Sequence, residues 1–421
     1  MLRAYKTELD LNNKQRTLMI RYCGVARFVY NWALADRIER YKNGEKTNKF
    51  EQKKRFTSLK DEQFPWVREV AYAATESAFE NCDKAYQNFF RGIKNKSAAG
   101  FPKFKSKKKG YGNFTLRGSI HVFNDSIQLP RIGILRLKES GYLPDNAKIL
   151  SATISERAGH WFVSLQVEVP DKEIVNSGTG VIGVDLGIKT LATCSNGITF
   201  DNPKSLRLNE KRLTHLQREL SRRVKGSKNR NKTKQKIAKL HYRIANIRRY
   251  ALHEVSNYLT VKVKPETIVL EDLNVRGMMQ NRHLSKSIAD ASFSELRRQL
   301  EYKCQWYGVD LVIADRFYPS SKTCSECGSV KPLLKLSERT FVCEKCGAII
   351  DRDFNASLNL ARLGSSSLNL EPSNKRGLPV EGVFGNLDNR TAPVKQEPGI
   401  VEYVNPGLPY KGISTNGAKH G

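Results

Sequence analysis

The sequence predicts an α/β multidomain protein. A helical block, an all-β segment and an alternating strand–helix segment follow one another, with a small metal-held ribbon set into the last. Three observations predict it. Apolar residues recur at helical spacing near the start and alternate with period two over residues 113–170. Apolar strands and helical stretches alternate from about 180 to 363. Cys324, Cys327, Cys343 and Cys346 stand in a C-x2-C-x15-C-x2-C pattern. At 421 residues the chain has room for roughly two to four modules.

The elements read as follows. "RAYKTELDLN" is a first strand, after which Asn12 or Asn13 caps a helix in "KQRTLMIRYCGVARFVYNWALADRIERYK". A second helical block is "VREVAYAATESAFENCDKAYQNFFRGI". The next stretch, Lys94 to Arg117, interleaves Lys and Arg with Phe and Tyr around Gly and Pro, a loop that suits phosphates and stacked bases unless it is a solvated linker. Residues 113–170 read as a small antiparallel barrel or sandwich, with a hairpin at "RAGH". "VIGVDLGIKTLATCSNGITF" is a strand, a glycine turn and a strand. A helical hairpin over 205–262 turns at Gly226 to Asn231. "ETIVLEDLNV" and "GVDLVIAD" are buried strands with the helix "SFSELRRQLEYKCQWYG" between them. Residues 365–421 are rich in Gly, Pro, Asn and Ser and read as largely disordered.

Charge narrows the partners. The chain carries 72 Lys and Arg against 42 Asp and Glu, a formal +30 with pI near 9.8. Such an excess repels itself unless a polyanion neutralises it, so nucleic acid is the leading partner and a merely basic soluble protein the alternative. Residues 211–250 hold fifteen Lys or Arg against one Glu, dense enough to suggest a phosphate-contacting face. No run of about 18 apolar residues exists, and the start has no signal-peptide core, so an intracellular protein with no membrane role is expected.

Two constellations carry chemistry. The four paired cysteines fit a tetrahedral zinc site in which protein fills every position, so that ion is structural; glycines after each pair suit the tight turns. Cys23, Cys82, Cys194 and Cys304 lie in apolar patterns and read as core. Three acids stand at strand ends or turns: Asp185 in "GVDLGIKT", Glu271 at the end of "TIVLED" and Asp353 in "DRDFNASLNLAR". Converging, they would suit a pair of Mg²⁺ ions acting on a phosphodiester. Singly, each has a plainer reading as a turn acid, a rim charge or a helix cap.

With these residues in view, the chain resembles the TnpB (OrfB-type) family of prokaryotic insertion sequences, relatives of the type V CRISPR effector nucleases. The matching segments are "GVARFVYNWAL", "GFPKFKSKKK", "GVDLGIKTLATCSNG", "IVLEDLNVRGM", "FYPSSKTCSECG" and "VCEKCGAIIDRDFNASLNL", spread over residues 20–363. The resemblance implies an RNase H-like (RuvC-type) nuclease domain over 179–319 and 348–364, with a zinc ribbon inserted at 320–347. It also implies a β-barrel wedge domain from 1–10 and 112–178 and a helical recognition domain over 11–111. The catalytic acids map onto Asp185, Glu271 and Asp353, which would bind two Mg²⁺; Asp351 is the fallback for Asp353. A guide RNA from the element's own end would read double-stranded target DNA beside a short adjacent motif. Cytoplasmic, nucleoid-associated work follows. Tyr5, Arg27, Asn31, Lys103, Lys105, Lys107, Arg222 and Arg223 are candidate nucleic-acid contacts. The competing reading is a non-cleaving regulator of transposition or transcription.

Overall fold

The computed structural model describes residues 2–95, 100–144, 147–170, 178–335 and 337–368. The tail expected to be disordered lies outside the described residues from 369 on, as do residues 96–99 of the basic loop. Two compact units divide near residue 171.

In the first unit, β1 (Leu2–Asp10) leads into α1 (Asn13–Lys42). Asn12 is the cap: its Oδ1 accepts from the Gln15 N–H at 2.9 Å, and Gln15 Oε1 accepts from the Asn12 N–H at 3.0 Å. That reciprocal box fixes the start of the helix. Next come α2 (Lys49–Gln63) and α3 (Tyr72–Lys94). The sequence reading missed α2 because "KFEQKKRFTSLKDEQ" has almost no apolar stripe. Asn48 caps it, and its anchors are buried Phe56 and buried Gln52, whose amide donates to the Ala33 carbonyl at 2.6 Å.

Seven strands complete the unit: β2 (Asn113–Leu116), β3 (His121–Val122), β4 (Ser126–Leu129), β5 (Gly133–Leu137), β6 (Lys148–Arg157) and β7 (His160–Glu168), with β1. The β6–β7 hairpin turns at Ala158 and Gly159, both left-handed, as a tight two-residue loop requires. The sheet order is β2-β6-β7-β1-β5-β4-β3, fully antiparallel. The expected closed barrel is corrected here: among the described residues no ladder joins the edges β2 and β3. Pairing explains why. β1 matches β7 from Leu2 to Leu9 but meets β5 only at Leu9 and Asp10, and the two-residue β3 is too short to carry a closing seam. Both halves of the sheet still feed one apolar core with α1 and α3, through Leu116, Ile154 and Leu165 on one side and Ile127, Leu129 and Leu135 on the other.

The second unit is built on β8 (Val181–Leu186), β9 (Thr190–Cys194), β10 (Thr199–Asp201), β11 (Thr267–Glu271) and β12 (Asp310–Ala314), in the order β10-β9-β8-β11-β12. The first three run antiparallel; β8, β11 and β12 are parallel. Between β10 and β11 lie α4 (Ser205–Arg222) and α5 (Lys228–Asn257). Their turn is confined to 223–227, because Ser227 Oγ accepts from the Arg230 N–H and starts α5 earlier than expected. After β11 come α6 (Val275–Met278), α7 (Ser285–Ala291) and α8 (Phe293–Tyr307). The ribbon strands β13 (Thr340–Val342) and β14 (Ile349–Asp351) follow, then α9 (Arg352–Leu368). Alternation splits the sheet's two faces. Ile182, Val184, Ile268 and Leu270 pack on α5 and α8, while Val269 packs against Leu360 of α9. Each fully buried aliphatic of this kind contributes about 1.5–3 kcal/mol. No helix among the described residues is long and apolar enough to cross a membrane.

Candidate active site and metal centre

The three acids are brought within electrostatic reach of one another through the register of two strands and the seating of one helix. Val184 lies opposite Leu270 in the parallel β8–β11 pair, so Asp185 and Glu271 each stand one residue further, at the strands' C-terminal ends. Asp185 shares a face with Gly183, and Glu271 shares a face with Val269. That is the face α9 covers. Gly183 is what lets α9 in: a Cβ there would come within 2.1 Å of the Ser357 carbonyl oxygen and 2.4 Å of the Ala361 nitrogen. From Ser357 back to Asp353 is about 6 Å along a helix, and from Gly183 on to Asp185 about 6.6 Å along a strand. Asp353, in the first turn of α9, is therefore brought level with Asp185.

Electrostatics agree with that placement. Burial pushes the Asp185 carboxyl well above the usual carboxylate range, and the charges of Glu271 and Asp353 push it the same way against Arg352. The other two acids are held by partners: Glu271 Oε1 accepts from the Ser320 hydroxyl, and Asp353 Oδ2 lies 3.6 Å from Arg339 Nη1. Asp351 has a different job. Its Oδ1 accepts from the Asp353 and Phe354 N–H groups, both at 3.0 Å, which is N-capping of α9. Asp272 is likewise accounted for, clamped at 2.8 Å by both Arg316 and Arg297 and held below its ordinary pKa, chiefly by Arg316.

Two buried asparagines one helical turn apart on α9 tie this site to the ribbon. Asn359 Nδ2 donates to the Ser320 carbonyl at 2.8 Å and to the Thr323 carbonyl at 2.7 Å. Asn355 Nδ2 also donates to the Thr323 carbonyl, and its Oδ1 accepts from the Ser325 N–H at 2.9 Å, inside the first C-x-x-C. Tyr318 donates its hydroxyl to the Asn359 carbonyl at 3.1 Å. The loop that carries Ser320 is thus fastened to the helix that carries Asp353.

In the ribbon, all four Sγ atoms lie within 4.8 Å of one another, the one such group of three or more potential metal ligands among the described residues. Cys324 and Cys346 sulfurs are 3.7 Å apart and those of Cys327 and Cys343 3.6 Å. A disulfide would need about 2.05 Å. A tetrahedral zinc with Zn–S near 2.3 Å places its sulfurs about 3.8 Å apart, so the donor set fits that ion. The Ser329 hydroxyl and the Cys346 and Lys345 backbone N–H groups hold the Cys343 thiol down to about 5. Burial instead pushes Cys23, Cys194 and Cys304 up to about 12 and Cys82 to about 11, as core thiols. Gly328 and Gly347 sit at φ +75° and +73°, the turns expected after each cysteine pair. Strand β14 ends at Asp351, paired with Thr340, so the ribbon hands the chain straight to the cap of α9.

The expected nucleic-acid contacts divide. Tyr5 is half-buried on β1 against the core. Arg27 donates to the Tyr111 carbonyl at 3.2 Å, and Asn31 exchanges two bonds with the Lys105 backbone. The Lys105 ammonium lies 4.0 Å from the Tyr30 ring centroid. Arg27, Asn31 and Lys105 therefore hold the basic loop against α1. Lys103 and Lys107 stay exposed on it. Arg223 pairs with Glu219 at 2.8 Å, while exposed Arg222 has no ion pair or hydrogen bond among the described residues.

Sequence reasoning missed Gly183, Ser320, Asn355, Asn359 and the Arg297–Arg316 clamp. Two signals were present: a glycine two residues before a strand-end acid, and asparagines four apart on the face of a helix that also carries Leu360 and Leu363.

Three family models match the chain. One described as "Probable transposase" (OrfB_IS605) covers residues 164–282, one described as "Cas12f1-like, TNB domain" covers 293–360, and one described as "Helix-turn-helix domain" covers 1–46. The last span holds one strand and one uninterrupted helix. The chain is 36% identical to a "Putative RNA-guided DNA endonuclease" of Streptomyces pristinaespiralis, over 86% of this chain and 89% of the relative. It is 31% identical to the "Putative RNA-guided DNA endonuclease InsQ" of Escherichia coli (strain K12), over 94% and 97%. Solved structures with similar chains include the "mini-RNA-guided endonuclease CRISPR-Cas_phi3", at 11% identity, 86% and 92% coverage and TM-score 0.47. Another is the "Cas12f1-sgRNA-target DNA complex", at 18% identity, 86% and 99% coverage and TM-score 0.33.

Proposed function

The chain belongs to the TnpB (OrfB) family of insertion-sequence proteins, and from that membership we propose that it is an RNA-guided DNA endonuclease that cuts target DNA beside a short adjacent motif. The observation that supports the reading is that buried Asp185 feels the charges of both Glu271 and Asp353, which raise it along with burial, where α9 covers the sheet. The sheet order supports an RNase H-like (RuvC-type) nuclease domain over 179–319 and 348–364: three antiparallel strands and then two parallel ones, with an acid at the end of the first and the fourth. The ribbon is the insertion at 320–347. Residues 1–10 with 112–178, and 11–111, would be the wedge and recognition domains that hold guide and target.

The site suits hard divalent cations, since an acid surrounded by acids is relieved by positive charge. A pair of Mg²⁺ ions, when bound, would supply an activated water and stabilise the leaving oxygen of the phosphodiester. The chain's own residues set up that chemistry. Strand ends fix Asp185 and Glu271, the Ser320 hydroxyl orients one Glu271 oxygen, and the Asp351 cap leaves Asp353 projecting from the first turn of α9. The zinc ribbon would act by fastening: it hands its last strand to the cap and, through Asn355 and Asn359, fixes the Ser320 loop.

The deciding experiment sequences the nucleic acid that co-purifies with the protein expressed beside its native downstream DNA. A discrete structured RNA ending in a short segment from outside the element, with Mg²⁺-dependent cutting of matched DNA, is the expected result. Random cellular fragments would sink the guided reading. Guided binding without cutting by the parent protein would favour a regulator.

A further inference from the structure

We propose that Thr7, Glu139 and Tyr142 hold a monovalent alkali cation, sodium or potassium, at the seam where β1 meets the chain leaving β5. The inference goes beyond the nuclease reading and concerns the first unit alone.

The seam is short. Of its nine residues, β1 pairs with β5 only at Leu9–Leu137 and Asp10–Arg136. The next step is held by one bond, from the Lys138 N–H to the Glu8 carbonyl at 3.0 Å. One residue further in the same register, Thr7 faces Glu139. Side chains alternate along a strand, so both lie on the face of buried Leu9 and Leu137. The Gly141 N–H then donates to the Asn124 carbonyl at 3.2 Å, and Tyr142 packs against the same core.

Three oxygens there are buried without a hydrogen-bond partner among the described residues: Thr7 Oγ1, Glu139 Oε2 and the Tyr142 hydroxyl. Thr7 is only 2% exposed. Burial pushes the Glu139 carboxyl up, the Thr7 hydroxyl acts against it, and the charge of Glu8 adds to it. Burial and then the Glu139 charge push the Tyr142 phenol up, which keeps it a neutral hydroxyl. Glu139 is thus close to both hydroxyls. A buried polar atom left unsatisfied costs its full desolvation, and three together point to something that binds them all.

Charge decides what that is. Glu8, next to Thr7 and on the opposite face, is matched from within the chain: Lys138 Nζ lies 2.7 Å and His160 Nδ1 2.8 Å from its Oε1. Glu139 has no such ion pair among the described residues. A water would satisfy the hydroxyls but leave the charge of a buried carboxylate unbalanced. One positive charge balances one carboxylate, and the two hydroxyls add neutral oxygen ligands. A divalent ion would leave charge in excess, and it favours several carboxylates or retained waters. Bound there, the alkali cation ties β1 to the residues after β5 and extends the seam by the step that the ladder lacks.

The test follows amide hydrogen exchange at Lys138 and Gly141 in the full, zinc-loaded chain, in KCl, NaCl or tetramethylammonium chloride at one ionic strength and without Mg²⁺. Exchange at these two amides should be about fivefold slower in one of the alkali chlorides than in tetramethylammonium, which is too large to enter, with α4 and α5 unaffected. Glu139→Gln should remove the dependence, and Thr7→Val should raise the half-protecting cation concentration about fivefold. If Glu139→Gln does not fold, the Thr7→Val shift decides alone. Equal exchange of the parent in all three salts would overturn the proposal, leaving Glu139 to hold a proton or a water. So would slowing spread evenly over the chain, or a Thr7→Val variant with the parent's dependence. No nucleic acid enters the readout, so its failure leaves the guided-nuclease reading standing.

Discussion

Four thiols in the ribbon and three carboxylates at the C-terminal ends of β8 and β11 and the start of α9 are both sets of potential anions, yet the protein treats Cys343 and Asp185 in opposite ways. Around Cys327 and Cys343 it supplies hydrogen-bond donors: the Ser329 hydroxyl and neighbouring amides favour the ionised sulfur, and Cys343 falls to about 5, while, against the Ala348 amide, hydrogen bonds among the sulfurs and burial push Cys346 up to about 12. Around Asp185 it supplies burial and two like charges, which favour the protonated acid. Local donors stabilise charge wherever the turn forms, so the ribbon is a closed clamp. Buried Asp185, facing two like charges, is relieved by an incoming cation, which under the proposed function is Mg²⁺.

Asp185→Asn tests that difference most severely. Cleavage should fall by ~10³-fold or more, because several kcal/mol of metal-dependent stabilisation are lost. In EDTA the variant should melt no lower than the parent, since a neutral amide escapes the repulsion of Glu271 and Asp353. A clear drop in melting temperature would mean that the acid is structural and the contrast with the ribbon false.

Next in size is Cys343→Ser. Loss of zinc should loosen residues 318–351 to proteolysis and lower cleavage by about 100-fold, through the cap and the asparagine ties rather than through the catalytic acids. Full activity in a zinc-free variant would sever the two regions.

Ser320→Ala should act on one centre alone. The Mg²⁺ concentration for half-maximal cleavage should rise about 10-fold, as for other outer partners of metal-binding carboxylates, while zinc content stays at the parent value. An unchanged Mg²⁺ requirement would show that Glu271 is oriented without it.

The smallest effect belongs to His253 of α5, on the opposite face of the sheet. Burial, with Lys303 and Arg249 adding, lowers His253 to about 4. Its folded pKa lies below the unfolded value near 6.5, so the unfolded chain binds the extra proton first. The stabilisation is complete above pH 6.5 and drains away as pH falls towards 4, by on the order of 3 kcal/mol at most. Denaturant titrations at pH 7 and pH 5 should show the parent losing more stability than His253→Gln. Parallel losses would remove His253 from the account.

Much of this was legible because it is local. Cysteine spacing, strand alternation, the "RAGH" turn and strand-end acids each depend on a few neighbouring residues whose chemistry is written in order. Helix α2 was missed for the converse reason: its anchors, Gln52 and Phe56, are buried by α1 and α3, and a polar buried residue leaves no hydrophobic signal. Arg27 and Asn31 are expected as nucleic-acid contacts from their place on the first helix and Lys105 from the basic loop; in the structure Arg27 and Asn31 bind that loop's backbone and Lys105 lies over the Tyr30 ring.

What the sequence by itself determined was the inventory: four thiols at clamp spacing, acids at the ends of apolar strands, and a charge that calls for a polyanion. Only the tertiary structure showed what each acid touches. Asp351 and Asp353 are separated in role because one oxygen reaches two helix amides. Asp272 and Glu271 are separated by their partners: Asp272, just past the end of β11, is held by two arginines, and Glu271 accepts from Ser320. The joining of the ribbon to the acids came last, because Gly183, Asn355 and Asn359 act across contacts between segments far apart in the chain, and no local pattern fixes such contacts before the helix settles on the sheet.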